Sequence, residues 1–140
     1  LHLLCGLLEP ISGSLDRPKC PAVMFQDDRL LPWLTILENI TAVGAGEDTA
    51  RLHLSDVGLD RFSDRYPAEL SGGQRRRAAL ARALAFDSDA ILLDEPFTGL
   101  EQELAHAMVR LLKERSLHMP VIVSTHLPAL IPYATAEIKL

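Results

Sequence analysis

Four consecutive apolar residues, Ala90 to Leu93, run directly into two carboxylates, Asp94 and Glu95, and then into Pro96. The run reads as a short buried strand with an acidic pair at its C-terminal end, and the proline fixes the exit of the chain. A second apolar run, Val121 to Val123, follows Pro120 and ends at Thr125-His126. Between the two, Glu101 to about Arg115 carries Leu104, Met108, Leu111 and Leu112 at helical spacing. Strand, amphipathic helix and strand make a β-α-β unit, which favours parallel strands joined by a right-handed crossover. Open parallel sheets bind ligands beyond the C-terminal ends of their strands. A third apolar run, Ala22 to Phe25, sets Gln26 after another predicted strand, so Gln26, Asp94-Glu95 and His126 are expected at one sheet edge.

The 140 residues suffice for one domain with a real core. A net charge of −5 argues against a nucleic-acid binder, and Arg75-Arg76-Arg77 is too short for a duplex footprint. That run is expected to be a solvated helix face. Cys5 and Cys20 match no disulfide framework or zinc pattern and read as reduced thiols of a cytosolic protein. Ser116 to Ala136 holds no charged residue, but Pro120, Pro128 and Pro132 interrupt it, so a membrane helix is not expected there. Leu1 to Leu8 has no basic leader and makes a poor signal peptide. It reads instead as the end of a buried helix, with Leu1, Leu4, Leu7 and Leu8 on one face. The opening at Leu1 rather than methionine reads as a fragment.

The remaining elements follow from local signals. Thr35 and Glu38 form a capping-box pattern before Ile36, Leu37, Ile40 and Val43. Gly44 to Gly46 is a break, and Arg51 to Leu59 is a second amphipathic helix that stops near Gly58. Ser71 to about Phe86 is a third helix. Pro128 to Tyr133 is a short turn or helix, and Ala136 to Leu140 is a candidate last strand.

Two places carry chemistry. Ser71 and Gln74 are spaced as a Ser-x-x-Gln capping box, and Gly72 and Gly73 would let an anion approach a helix start, where free N–H groups and the dipole favour phosphate. Cap and phosphate site are both open readings. At the sheet edge, Asp94 is placed to hold Mg²⁺ and Glu95 to orient or deprotonate a water. Gln26 could add an amide oxygen to the metal, and His126 could donate to a terminal phosphate. A solvated acidic turn is the bland alternative for the carboxylates.

Leu70-Ser71-Gly72-Gly73-Gln74, followed about twenty residues later by Leu92-Leu93-Asp94-Glu95-Pro96, resembles the ATP-binding subunit of an ABC transporter. The first stretch is similar to the family's signature motif and the second to its Walker B motif. Gln26 matches the Q-loop and Ser124-Thr125-His126 the H-loop. The resemblance implies an α/β fold, a P-loop NTPase-like (RecA-like) parallel-sheet core that is partial here. Residues 1–30 and 87–140 would form the core, and 31–86 an inserted α-helical subdomain. It also implies ATP and Mg²⁺ as cofactors and a head-to-tail dimer with a second ATP-binding subunit. Ser71, Gly72, Gly73 and Gln74 would cap the nucleotide held by that partner. Asp94 and Gln26 would serve the metal, Glu95 would be the general base and His126 would sense the γ-phosphate. Gly99, Leu100 and Glu101 would form the interface D-loop, where the family usually has an aspartate in place of Glu101. The implied partners are transmembrane permease subunits and a substrate-binding protein, at the cytoplasmic face of the bacterial inner membrane. Phe25 to Thr35, with Trp33 after Pro32, is similar to the Q-loop region of importers for nitrate, sulfonates and taurine.

No Gly-x-x-x-x-Gly-Lys-[Ser/Thr] occurs in the 140 residues, and in the family that loop directly precedes a helix similar to Leu1–Leu8. The chain is therefore expected to start just after it and to be inactive alone. Two rival readings stand beside this one. A soluble ABC-type ATPase of DNA repair would carry a large insertion, yet only residues 27–69 separate Gln26 from Leu70. A non-catalytic remnant would only bind partner subunits.

Overall fold

The computed structural model describes residues 1–127 and 132–138. The chain builds a three-stranded parallel sheet from β1 (Pro21–Met24), β2 (Ala90–Asp94) and β3 (Val121–Ser124), with β2 in the centre. Ala90 to Leu93 are all buried, as a strand covered on both faces requires. The register pairs Met24 with Leu93 and Leu93 with Val123, so the three strands end level. Whatever follows each strand therefore emerges at one edge. The β2–β3 connection is the helix α4 (Gln102–Arg115), which buries Ala105, Met108, Val109 and Leu112.

Three helices lie between β1 and β2: α1 (Ile36–Thr41), α2 (Glu47–Asp56) and α3 (Gly72–Ala85), with α4 spanning Gln102–Arg115. Helix α1 starts where the sequence predicts. The Thr35 hydroxyl accepts from the Glu38 N–H, and Glu38 reaches back to the Thr35 N–H at 2.7 Å. Buried Asn39 fixes the approach to that helix. Its Nδ2 donates to the carbonyls of Leu31, Leu34 and Thr35, and its Oδ1 accepts from the Leu31 N–H. Helix α2 begins four residues earlier than the apolar pattern shows, because Glu47 and Asp48 supply an acidic first turn without apolar residues. It stops at Gly58, in the left-handed region at φ +66°. Ile36, Ile40, Leu54, Leu59 and Leu80 are sealed between α1, α2 and α3.

Three expectations fail. Leu1–Leu8 is a series of turns rather than a buried helix, with Gly6 at φ +76° and Leu7 and Leu8 more than half exposed. A short segment that leaves Leu3, Leu7 and Leu8 exposed buries too little apolar surface to offset the cost of helix nucleation. The arginine run on α3 is not a solvated face, since Arg76 is only 5% exposed. Residues 136–138 are not in a strand, and 139–140 lie outside the described residues. Most of the turn expected at Pro128–Tyr133 also lies outside them. Cys5 and Cys20 are free thiols, and no helix among the described residues is long and apolar enough to cross a membrane.

Candidate functional site at the sheet edge

The level strand ends bring the carboxylate pair and the histidine together. Asp94 is the last residue of β2, paired across the ladder with Ser124, whose hydroxyl donates to Asp94 Oδ1. Glu95 turns sharply at φ +48°, a left-handed conformation unfavourable for a residue with a side chain. Its N–H donates to the Ser124 carbonyl at 3.0 Å, continuing the ladder one residue past the strand. The turn aims the carboxylate across the end of β3, where Oε2 lies 2.9 Å from His126 Nδ1. The imidazole is 70% exposed, whereas the Glu95 side chain is only 20% exposed, so the acid is sheltered and the histidine faces outward.

Gln26 follows β1 at the same edge and is exposed, but among the described contacts its side chain reaches neither Asp94 nor Glu95. Its backbone is held instead. Arg76 donates to the carbonyls of Phe25 and Gln26, and to Asp28 Oδ1 at 3.1 Å. The same guanidinium donates to the carbonyls of Asp94, at 2.7 Å, and Glu95, at 2.6 Å. Arg82, two turns further along α3, donates to the carbonyls of Asp28 and Arg29, both at 2.8 Å. Burial pushes the Arg82 pKa down, and the nearby Asp28 carboxylate pushes it back up. Arg77 takes a different job, capping the end of α2 through the Val57 and Gly58 carbonyls. These roles were missed in the sequence. The signal was there: Arg76 stands four residues before Leu80 and eight before Leu84, on the core stripe of α3.

The Ser71–Gln74 segment is a complete capping box. The Gln74 N–H donates to Ser71 Oγ at 3.3 Å, and the Ser71 N–H donates to Gln74 Oε1 at 2.8 Å. A side chain at Gly73 would be tightly placed. A methyl group there would stand 3.2 Å from the Gly99 carbonyl oxygen and 3.5 Å from Leu100 Cδ2. The start of α3 thus abuts the turn Gly99-Leu100-Glu101, in which Gly99 is left-handed at φ +76°. Gly72 has no such neighbour; it is exposed, and its N–H belongs to the first turn, where no intrahelical acceptor exists. Glu101 is the N-cap of α4 yet makes no side-chain cap bond.

No group of three or more His, Cys, Asp or Glu that could cage a metal exists among the described residues. Mg²⁺ rarely uses such a cage; it takes one or two carboxylates, keeps waters and shares the rest of its shell with phosphates. Asp94, oriented through one oxygen by Ser124, suits that use.

The family model described as "ABC transporter" matches residues 1–98. The aliphatic sulfonates import ATP-binding protein SsuB 3 of Paraburkholderia xenovorans (strain LB400) is 44% identical over 132 residues, covering 90% of this chain and 53% of that protein. The SsuB protein of Mycobacterium sp. (strain MCS) is 41% identical over 136 residues, with 90% and 56% covered. The chain therefore spans about half the length of the curated relatives it matches. Among solved structures, the dimeric post-hydrolysis state of the ATP-binding cassette MJ0796, bound to ADP and Pi, superposes with a TM-score of 0.75. It is 32% identical, with 81% of this chain and 55% of that one covered.

Proposed function

The chain belongs to the ABC transporter family of ATP-binding cassettes, and from that membership we propose that it serves as the ATP-hydrolysing subunit of an importer. The observation that carries this reading is the sheltered Glu95 carboxylate at 2.9 Å from His126, beside Asp94 at the C-terminal edge of a parallel sheet. Glu95 is the general base. Water attacks the terminal phosphorus in line, the bond to the ADP oxygen breaks, and Glu95 takes the water proton. His126 keeps Nδ1 on Glu95 and turns its Nε2 toward a γ-phosphate oxygen. Asp94 and the Gln26 amide oxygen would hold Mg²⁺, which supplies neutralisation of the phosphate charge.

Ser71 to Gln74 act on the nucleotide of a second ATP-binding subunit, through the open N–H groups at the start of α3. Gly99 and Leu100, packed against Gly73, and Glu101 after them belong to the same subunit interface. The dimeric form of the similar cassette bound to ADP and Pi supports that arrangement. The further partners are permease subunits and a substrate-binding protein, with the chain peripheral on the cytoplasmic side of the inner membrane. The names of the relatives support an aliphatic sulfonate as the solute.

The test uses the full-length gene product. Glu95→Gln is expected to lower kcat by roughly a hundredfold or more, while ATP still drives dimerisation on a sizing column. Near-wild-type turnover in that variant would remove Glu95 from the role of base.

A further inference from the structure

Two non-glycine residues among those described have positive φ: Arg29 at +47° and Glu95 at +48°. Both lie in turns that leave the C-terminal sheet edge, one after β1 and one after β2. Both have their carbonyl oxygen bonded by an arginine of α3, Arg82 in the first case and Arg76 in the second. Arg76 differs from Arg82 in holding both turns at once. It is buried and spreads its guanidinium over the Phe25, Gln26, Asp94 and Glu95 carbonyls and the Asp28 carboxylate. Only a planar fork with five N–H donors can serve five acceptors at fixed angles.

We propose that Arg76 is a positioning residue for hydrolysis, one that locks the orientation of Glu95 to the position of the Gln26 loop. This rests on the reading of Glu95 as base. Left-handed backbone at a residue with a side chain persists only where the surroundings over-determine it. Here three contacts do so: the ladder bond from the Glu95 N–H to Ser124, the Thr98 N–H at 3.3 Å from the Glu95 carbonyl, and Arg76 on the same carbonyl. Because the same guanidinium grips the Phe25 and Gln26 carbonyls, a displacement of that loop pulls on the turn that aims the base. Arg76 touches no reacting atom; it acts through Glu95.

The experiment compares Arg76→Met and Arg76→Lys in the full-length gene product assembled with its membrane subunits. Arg76→Met is expected to lower kcat by roughly ten- to hundredfold, because small misplacements of a catalytic group cost that much. The KM for ATP should stay within about twofold, since the residue does not meet nucleotide. Arg76→Lys keeps the charge facing Asp28 but has three donors for five acceptors, so it should recover only part of the rate. Hydrogen exchange of the nucleotide-free protein gives a second readout that does not depend on turnover. Amides of residues 25–29 and of Glu95, Phe97 and Thr98 should exchange faster together in both variants, while those of α2 and α4 stay as in wild type. Wild-type kcat in Arg76→Met would overturn the proposal. So would faster exchange in only one of the two turns, or a loss spread evenly over the helices, which would make the arginine a general support. If the wild-type assembly hydrolyses no ATP, the ATPase reading falls, and the exchange data still decide whether Arg76 joins the two turns.

Discussion

At the scale of single residues, the sheet edge gathers Asp94, Glu95 and His126, and neighbouring polar groups orient them. Asp94 is held through one oxygen by Ser124 across the β2–β3 ladder. Ser124→Ala leaves the strand intact and frees that carboxylate to rotate. The expected result is roughly a tenfold weaker dependence of ATPase activity on Mg²⁺, the size of effect seen when an outer-shell partner is removed. Titration of Mg²⁺ at fixed ATP would measure it, and an unchanged midpoint would show that Ser124 does not orient the ligand. Asp94, Glu95 and His126 were legible in the sequence because polar residues stood abruptly after apolar runs. Arg76 was not, because three arginines in a row look like surface. A helix turns about 100° per residue, so three successive side chains cannot share one face. The middle one here falls on the stripe of Leu80 and Leu84.

At the scale of elements, the helix starts were readable because capping depends on residues three apart and on nothing distant. The Thr35–Glu38 and Ser71–Gln74 boxes both form. Glu38 also sets an acid limit. The Thr35 N–H, and then its hydroxyl, hold the Glu38 carboxyl below its ordinary value of 4.5. The unfolded chain then binds the proton more readily than the folded one, so the contribution to stability is complete above that value and fades as pH falls through the folded pKa. A circular-dichroism melt series should show Glu38→Gln and wild type converging below the folded pKa, where Glu38 is itself neutral, and diverging above it. Helix α4 starts less well. Glu101 sits at its N-cap with extended backbone but without a cap bond, and Asp is the better capping residue. Glu101→Asp should add that bond and stabilise the chain by about 1 kcal/mol, read as a higher midpoint in urea. No rise would mean that the Gly99–Leu100 turn holds the cap residue out of reach. Leu1–Leu8 shows the limit of such local reading: its apolar spacing resembles a helix face, but Leu3, Leu7 and Leu8 stay exposed and no helix forms.

At the scale of the whole molecule, parallel pairing followed from the β-α-β pattern, whereas the attachment of the helices to the sheet side did not. One apolar cluster runs from the sheet into the helices, and polar groups that no periodicity marks add two links to it. One link is α3, whose arginines span to both strand-end turns. The other joins α2 to the end of α4. His53 is 3% exposed, its Nδ1 lies 2.9 Å from Asp56 Oδ2, and its Nε2 lies 3.2 Å from Arg115 Nη2. An arginine can only donate, so Nε2 is the acceptor and Nδ1 carries the proton toward Asp56. The bridge crosses a cleft of about 390 Å³ lined also by Gly44, Thr49, Phe86 and Met119. Removing the donor leaves a buried ring nitrogen unpaired, which costs about 1–3 kcal/mol. Arg115→Ala should therefore lower the urea midpoint and speed amide exchange in α2 more than in β2, because the strand is held by its ladders on both sides. Arg115→Lys, with a shorter reach to the same nitrogen, should recover part of the loss. Equal acceleration in α2 and β2 would mean that the helices and the sheet unfold as one unit and that the bridge joins nothing that could otherwise part.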